Sequence, residues 1–560
     1  MKSGKAIFRK THIIICPRMN KDRFFDRRYY LEVLEKRLKG LKEGYRQNIA
    51  FIGDESVGKT AMVLKFLNYY NDNAILPLYL EVRPASLEHF AKRFIGVLLY
   101  SFLRNSDILL KEDLEFLLRK SEKYIPKTTE KIKSILACLG KKQKTSVFSD
   151  LLSLCETINQ ETRKNCVVIF DEFHHLESLG IKNLYREWSK ALVLQKNTMY
   201  IIMSSAKFKT RRILSEGLSL LFGNFQIIEV DPFDLGTSEE FLEIRFLPNQ
   251  IEKSLKKFLI HFTGGHPFYL EVISEALAKS LAKAEGSTNN INYLNFTSTL
   301  EELLFEESGL LNQKFSHYLR RLSENRNVLD YTPILYLIAS GHNRIKDIAH
   351  ILRKQKKEVL QKINYLLETD TLTRNQDFLK INDRVFGFWL KSVYKERMEA
   401  LNFDVCEKKS MFKNKIDEMV KEFVINSDKP LPERMIELLR LFENEAVSVD
   451  RKRLRLSTFR EIKPLGLLNC KNLKEGLLAR STDSLWIIAF KKDSITEDDI
   501  ADFTKECKKY RQRVQKKIVI TSDGIDTNAR LKAMEEKIWT WNLNNLNQLL
   551  DLFNKPRVVV

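Results

Sequence analysis

The sequence has no CxxC motif and no long apolar run, and each absence disfavours a class of protein. The seven cysteines are Cys16, Cys138, Cys155, Cys166, Cys406, Cys470 and Cys507. They are odd in number and never form a CxxC pair, which disfavours a disulfide framework or a zinc site and is typical of the reducing cytoplasm. The apolar run 12–16 is too short for a signal peptide. No uncharged stretch reaches the ~18–20 residues of a bilayer span, so we expect a cytoplasmic protein without membrane insertion.

The sequence also lacks internal repeats and low-complexity tracts, and its composition is that of a folded chain. Its 560 residues are 44% hydrophobic and 30% charged, which predicts about three or four globular domains. The formal net charge is +21. A positive surface of this size attracts polyanions, either nucleic acid or anionic membranes, although it could equally serve only solubility.

Short apolar segments alternate with helical patterns in the first half of the chain. The predicted strands are residues 48–52, 75–82, 166–170, 199–203 and 226–230. Strands that alternate with helices indicate a parallel α/β sheet, and the apolar, β-branched segment 166–170 is typical of a central strand. A long helical region is predicted from residue 87 to about residue 139. After Pro232 the strands stop, and residues 237–320 have helical patterns throughout.

A phosphate-binding loop follows the first predicted strand. The motif GxxxxGK[ST] is matched without a gap by Gly53, Asp54, Glu55, Ser56, Val57, Gly58, Lys59 and Thr60. The glycines allow backbone N–H groups to surround phosphates at a helix N-terminus. We expect Lys59 to neutralise the β- and γ-phosphates of ATP and the Thr60 hydroxyl to bind Mg²⁺.

Two acids end the predicted strand 166–170. Unpaired carboxylates at such a position are costly to desolvate, which favours a functional role over a solvated acidic turn. We expect Asp171 to hold the Mg²⁺ shell and Glu172 to polarise the attacking water. Ser204 or Ser205, at the tip of the strand predicted over 199–203, would sense the γ-phosphate or simply cap the strand end. Arg211 and Arg212 follow, either as an arginine finger or as solvated side chains.

Two further motifs lead to a family. Residues 24–30 read FFDRRYY, which is similar to the signature hhGRxxE with its arginine at Arg27, while Asp26 and Tyr30 replace the glycine and the glutamate. Gly265-His266-Pro267 matches a GxP motif, although a glycine before a proline is also an ordinary helix start. This order of motifs resembles the archaeal-type ATPase family within the STAND class of P-loop NTPases, relatives of AAA+ and origin-recognition ATPases. The resemblance implies that Arg27 lies near the adenine, and that Pro267 packs by the base in a helical lid.

Residues 325–393 resemble a winged helix-turn-helix. Three helical patterns precede a polar hairpin at 372–379, and the stretch 344–362 carries seven basic and two acidic residues. A recognition helix that begins at Lys356 and Lys357 could enter a major groove, with phosphate contacts from Arg353 and Lys354. In STAND proteins this domain also serves as an internal regulatory arm, so both alternatives stay open.

The last ninety residues resemble the restriction-endonuclease-like fold. An active site would end its second strand with ExK, but here the sequence is Ala489-Phe490-Lys491. The upstream acid could be only Glu475 or Asp483, so we predict an inactive domain that binds DNA or protein. The basic strip 451–455 could touch a nucleic-acid backbone or be solvated.

The predicted fold is α/β, a P-loop NTPase sheet with a helical lid, a winged helix and a C-terminal restriction-endonuclease-like domain. The predicted parts are a basic tail (1–20), the ATPase domain (21–235), the lid (236–320), the winged helix (321–405), a helical and then irregular basic linker (406–470) and the C-terminal domain (471–560). The predicted function is a STAND-type ATPase switch with ATP and Mg²⁺. DNA, a protein partner and a nucleotide-dependent homo-oligomer are candidate interactions. The alternatives are a DNA-loading ATPase, a nuclease component and a scaffold that binds nucleotide without turnover.

Overall fold

The computed structural model divides the chain between residues 232 and 233 into two compact units. It describes residues 24–104, 111, 113–139, 144–218, 225–283, 290–322, 331–399, 404–450, 452–467, 470–510 and 514–559. The predicted basic tail 1–20, Cys16 and Arg451 lie outside these ranges. Every helix within them is too short or too polar to cross a bilayer.

The first unit is built on a five-stranded parallel sheet. Its strands are β1 (Asn48–Ile52), β2 (Ile75–Glu81), β3 (Asn165–Asp171), β4 (Thr198–Ser204) and β5 (Phe225–Glu229). Its helices are α1 (Arg28–Lys42), α2 (Lys59–Tyr69), α3 (Leu87–Leu103), α4 (Leu114–Ser121), α5 (Pro126–Cys138), α6 (Lys144–Thr162), α7 (Leu184–Leu194) and α8 (Lys207–Arg212). The strand order is β2-β3-β4-β1-β5, with all pairs parallel. The predicted parallel α/β sheet is confirmed.

The sheet separates two hydrophobic cores because successive side chains of a strand point to opposite faces. Val168 and Phe170 of β3 belong to one core, whereas Val167 and Ile169 belong to the other. Strands covered on both faces need continuous apolar sequence, and this is why β1, β3 and β4 were recognisable. Their parallel direction brings the residues that follow β1, β3 and β4 to one edge of the sheet.

The helical region predicted over 87–139 consists of the three helices α3, α4 and α5. The Asp113 side chain caps α4 by accepting a hydrogen bond from the Phe116 N–H at 2.6 Å. Pro126 is the first residue of α5, a position where its missing N–H costs nothing. Both signals are local, so the breaks could have been read from the sequence.

The second unit begins with helices and continues with a small hairpin. The first helices are α9 (Leu235–Arg245), α10 (Lys253–Thr263), α11 (Pro267–Lys283), α12 (Tyr293–Leu304) and α13 (Leu310–Leu322). Next come α14 (Thr332–Ala339), α15 (Ile345–Ile351), α16 (Lys356–Glu368), the antiparallel strands β6 (Leu372–Asn375) and β7 (Phe378–Ile381), α17 (Arg384–Trp389) and α18 (Lys395–Glu399). The helical patterns over 237–320 and the three helices before a hairpin agree with these elements.

The rest of the unit is a mixed α/β region. Its elements are α19 (Val405–Ser427), α20 (Leu431–Leu439), β8 (Glu445–Val449), β9 (Lys452–Leu456), β10 (Glu461–Gly466), β11 (Glu475–Arg480), β12 (Leu485–Lys491), α21 (Glu497–Lys508), β13 (Val514–Thr521), α22 (Thr527–Glu535), β14 (Ile538–Trp541) and α23 (Leu543–Leu552). The sheet order is β10-β11-β12-β13-β14. The β10–β11 and β11–β12 pairs are antiparallel, and the β12–β13 and β13–β14 pairs are parallel.

The prediction that the basic part of 406–470 is irregular is wrong. β8 and β9 form an antiparallel hairpin there, and β10 is the edge strand of the C-terminal sheet. Val447, Val449, Leu454 and Leu456 are fully buried at alternate positions, which is the strand period of two. Because Arg453 and Arg455 alternate with the leucines of β9, the segment reads in the sequence as a basic stretch and not as a strand.

Replacing Leu454 with alanine should destabilise the second unit, because it deletes a fully buried side chain. Losses of about 2–5 kcal/mol are typical of such a change. We expect its unfolding transition in urea to move to lower concentration. Arg453→Ala, at the neighbouring exposed position, is the control and should change stability by less than about 0.5 kcal/mol. Equal effects of the two substitutions would contradict the strand assignment.

Candidate nucleotide-binding site

The phosphate-binding loop connects β1 to α2. Gly58 precedes α2 with φ of 102°, a backbone conformation that favours glycine. The loop therefore ends in a helix N-terminus, where backbone N–H groups are available to an anion. Residues 53–58 of the predicted loop form this connection, and Lys59 and Thr60 are the first two residues of α2.

Lys59 is buried beside the loop that contains it. Its side chain is 4% exposed, and Nζ donates to the carbonyl oxygens of Gly53 and Asp54, each at 2.9 Å. Burial lowers the pKa of Lys59, while the charges of Glu172 and Asp171 act to raise it. The structure thus brings the predicted lysine and both predicted acids into one electrostatic neighbourhood.

Asp171 connects the loop to the end of β3. Its Oδ2 accepts hydrogen bonds from the Thr60 hydroxyl at 2.6 Å and from the Tyr79 hydroxyl at 2.7 Å. Its Oδ1 is buried and has no hydrogen-bond partner among the described residues. A buried carboxylate oxygen without a partner is costly. A carboxylate beside a threonine hydroxyl is an oxygen donor set that suits Mg²⁺, so the residues fit the cation that the motifs predict.

Glu172 is held by the next strand. Its Oε2 accepts hydrogen bonds from the N–H of Ser205 at 2.9 Å and from its hydroxyl at 2.8 Å. Burial raises the pKa of Glu172, with Lys59 and Ser205 opposing that shift. Glu172 has φ of 49°, in the left-handed region that residues other than glycine seldom adopt. Strained backbone of this kind is often found at functional sites.

Ser204 occupies a different position from Ser205. Its side chain is fully buried, and Oγ lies 2.9 Å from Nδ1 of His174. The same nitrogen lies 3.3 Å from Oε2 of Glu172. His174 therefore links Ser204 to Glu172, a role that sequence reasoning missed although the histidine follows the acid pair by two residues.

Arg27 supports the loop from the other side. It is 6% exposed and donates to the carbonyl oxygens of Val57 and Asp231, both at 2.8 Å. Asp26, which replaces the glycine of the signature, has φ of 53°, a conformation that aspartate tolerates better than most residues. Tyr30, which replaces the glutamate, donates to the carbonyl oxygen of Glu229 at 3.2 Å.

One cation outside the predicted set contacts the phosphate-binding loop. Lys207, at the start of α8, forms an ion pair with Oδ1 of Asp54 at 2.7 Å. Sequence reasoning passed over Lys207 because no motif includes it. Arg211 is paired with Glu229 at 2.7 Å, and Arg212 is exposed.

Pro267 belongs to the second unit, where it begins α11. Gly265 has φ of 78°, and a Cβ there would lie 2.2 Å from the carbonyl oxygen of Phe233. The glycine of this motif is therefore required by close backbone packing. The role of Pro267 beside the base stays a prediction.

The predicted remnant of a nuclease site is an internal ion pair. Nζ of Lys491 lies 2.5 Å from Oδ2 of Asp499, and Asp499 also accepts a hydrogen bond from the N–H of Thr496 at the start of α21. Glu475 is exposed, and Asp483 lies in the β11–β12 turn, at the opposite end of β12 from Lys491.

The loop, the acid pair at the end of β3 and the polar tip of β4 lie at one edge of the sheet, and this arrangement is the candidate nucleoside-triphosphate site. Residues 24–273 match the sequence model of a family described as an ATPase domain predominantly from Archaea. The chain therefore carries an archaeal-type ATPase domain, which binds ATP and hydrolyses it. No curated protein sequence matches the chain.

Several solved structures are similar to this ATPase. A Walker-type ATPase of Pyrococcus abyssi is 21% identical, covers 67% of this chain and 99% of its own, with a TM-score of 0.47. The ORC2 protein of Aeropyrum pernix is 12% identical, and the match covers 71% of this chain and 96% of the ORC2 chain, with a TM-score of 0.41. The RuvB branch-migration motor of Thermotoga maritima is 11% identical, and the match covers 68% of this chain and 97% of the RuvB chain, with a TM-score of 0.30.

Replacing Arg27 with alanine should weaken ATP binding, because the variant loses two hydrogen bonds that fix the loop at Val57 and Asp231. Charge-assisted bonds of this kind contribute about 1.5–3 kcal/mol each, so we expect a rise of at least about tenfold in the Kd for ATP measured by calorimetry. Arg28→Ala is the matched control, because Arg28 is exposed. An unchanged Kd in Arg27→Ala would contradict a supporting role.

Proposed function

We propose that the chain is a STAND-type switch that uses ATP binding and hydrolysis to control its C-terminal modules. The observation that carries this proposal is the contact of Glu172 with Ser205. The acid that would activate water accepts two hydrogen bonds from the end of β4, so a change in that contact would turn hydrolysis on or off.

In the proposed cycle, the loop 53–60 binds the phosphates through its backbone N–H groups. A phosphate offers Lys59 a charged acceptor in place of the two carbonyl oxygens that it contacts. Asp171 and Thr60 would hold Mg²⁺, which, when bound, shields the phosphate charge that opposes nucleophilic attack. Asp54 keeps its partner Lys207 on the outer side of the loop.

Glu172 would act as the general base. To reach a water molecule beside the γ-phosphate, its carboxylate must leave Ser205, and Ser204 and His174 would hold the surrounding backbone and side chains in place. Ser205 would thus report on the γ-phosphate by exchanging a carboxylate partner for a phosphate partner. A ligand can drive such a change only through its different affinity for the two arrangements.

The output of the switch would be the winged helix and the C-terminal domain. The hairpin β6–β7 is already engaged, since the Asn375 side chain donates to the Ser448 carbonyl at 3.0 Å and accepts from its N–H at 2.7 Å. The side chain of Asp377 accepts from the N–H of Ala446 at 2.9 Å. These contacts favour the regulatory-arm interpretation for the hairpin.

A DNA-loading ATPase is the second candidate, and the exposure of α16 favours it. Arg353, Lys356 and Lys357 are all exposed, so the predicted recognition helix keeps its cations available while the hairpin is engaged. In this alternative the chain would contact the phosphate backbone through α16 and assemble as a homo-oligomer on DNA.

Glu172→Gln should retain ATP binding and lose most turnover, because the amide cannot accept the proton from water. Removing a general base typically costs about 10²–10⁴-fold in rate, measurable as phosphate release. Lys59→Ala should lose both binding and turnover. Glu216→Gln, an exposed acid of the same unit, should resemble the wild type.

Turnover by Glu172→Gln at the wild-type rate would overturn the assigned base. Tight binding without turnover in both wild type and variant would instead indicate a nucleotide-binding scaffold. If Lys59→Ala still bound and hydrolysed ATP, the assignment of residues 53–60 as the phosphate-binding loop would be wrong.

Duplex DNA should stimulate ATP hydrolysis if the second candidate function is correct. In Lys356→Gln/Lys357→Gln, the dependence of log affinity on log salt should flatten by about two units, because about one unit is lost per phosphate contact. The control is Lys120→Gln/Lys123→Gln, which removes the same charge from exposed positions of the first unit. Absence of DNA binding by the wild type at about 50 mM salt, where backbone contacts are strong, would exclude this function.

A further inference from the structure

A cavity of 420 Å³ lies within the second unit, away from the phosphate-binding loop in sequence. Helices α10, α14, α17 and α19, strand β7 and the chain segment that follows α23 all contribute to its wall. Ligand pockets commonly have volumes of about 300–1,000 Å³ and combine apolar walls with a few polar groups. This cavity has both features.

One wall of the cavity carries a cluster of three cations around Asp551. Nζ of Lys380 lies 2.6 Å from Oδ2 of Asp551, and Nη2 of Arg557 lies 2.7 Å from the same oxygen. Arg384 contacts Oδ1 of Asp551. The Asp551 side chain is 2% exposed, whereas Lys380 and Arg384 retain 33% and 22%. The carboxylate is therefore enclosed, and the two cations that line the cavity remain accessible.

The cluster has an excess of positive charge. Within the described ranges, Asp551 is the only carboxylate that forms an ion pair with Lys380, Arg384 or Arg557. Nδ1 of His261 accepts a hydrogen bond from the N–H of Arg557 at 3.2 Å, and burial holds the pKa of His261 well below its usual value. The histidine is thus neutral, and three cations face one anion.

Like charges held close together in a partly buried cluster repel one another, so the excess of two positive charges favours the binding of an anion. The other charged side chains among the lining residues do not supply it, because Lys391, Lys415 and Lys555 balance Asp383, Glu418 and Glu422 in number.

Apolar side chains form another part of the lining. It includes the side chains of Phe262, Ile338, Leu379, Phe388 and Met419. A purely inorganic anion would leave this surface in contact with water, whereas an organic group would bury it at about 25 cal/mol per Å². The ligand that matches both walls has a doubly charged anionic group and an apolar or aromatic part.

We propose that this cavity binds a small organic phosphate monoester. Its phosphate, with a charge of about −1.5 to −2 at neutral pH, would contact Lys380 and Arg384 and neutralise the cluster. Its organic part would lie against Phe262 and Phe388. All of its lining residues belong to the second unit, and the ligand would join the lid helix α10, the hairpin strand β7 and the C-terminal segment.

Calorimetric titration of the full chain with phenyl phosphate tests the proposal. We expect one site per chain, with binding at least about tenfold tighter than that of inorganic phosphate and none detectable for phenol. Lys380→Gln should weaken phenyl phosphate binding about tenfold, the usual loss for one charge-assisted contact. Lys508→Gln, a lysine exposed at the end of α21, is the control and should bind as the wild type does.

Lys59→Ala separates this cavity from the ATP site and should leave phenyl phosphate binding unchanged. Protection of the wild type against thermal unfolding by phenyl phosphate, but not by phenol, gives a readout that needs no variant. The proposal is overturned by the absence of saturable binding up to about 10 mM. Equal affinity for inorganic phosphate, or loss of binding in Lys59→Ala instead of Lys380→Gln, also overturns it.

Discussion

The hydrogen bond between the Thr60 hydroxyl and Asp171, at 2.6 Å, joins two strands of the ATPase sheet that are not neighbours. β4 lies between β1, which leads into the loop, and β3, which carries the acids. Only the parallel direction of all three strands lets the loop and the acids meet at one edge. The chemistry of the site therefore depends on a topology that the apolar sequences of β1, β3 and β4 impose.

β4 does more than separate β1 from β3, because the end of β4 contacts both the loop that follows β1 and the acid that follows β3. The carbonyl oxygen of Ser204 accepts from the N–H of Gly53 at 3.2 Å, and the next residue, Ser205, binds Glu172. A movement of this tip would therefore affect the loop and the base together. Such coupling through one short segment is what the proposed switch requires, and it needs no long pathway through the unit.

The sequence made the local features of the site predictable and left its long-range contacts hidden. The spacing of Gly53, Gly58 and Lys59, and the acids after β3, are visible because each rests on neighbouring residues. Arg27 binds carbonyl oxygens 30 and 204 residues away, and any residue has a carbonyl, so no pattern marks the partner. His174 was missed for a similar reason, since only the fold brings it to Ser204.

In the C-terminal half, too, only the features that rest on neighbouring residues could be predicted from the sequence. The sequence of β12 is apolar up to its last residue, which marks it as a buried strand, but β9 was missed because charged side chains occupy its outward positions. The cluster around Asp551 joins Lys380, Arg384 and Arg557 from three segments, and each of these residues alone resembles an ordinary surface charge in the sequence. Binding of DNA by the predicted winged helix and C-terminal domain would rest on surface residues, which leave no periodic pattern in the sequence.

The central claim is that the loop and the acid pair form one site for ATP with Mg²⁺. Its most direct test is the equilibrium affinity for ATP with and without Mg²⁺, measured for the wild type and for Asp171→Asn. Mg²⁺ should increase the affinity of the wild type for ATP. In the variant this increase should be about 10–100-fold smaller, as expected when a metal-binding carboxylate is removed. An identical gain from Mg²⁺ in both proteins would contradict the account.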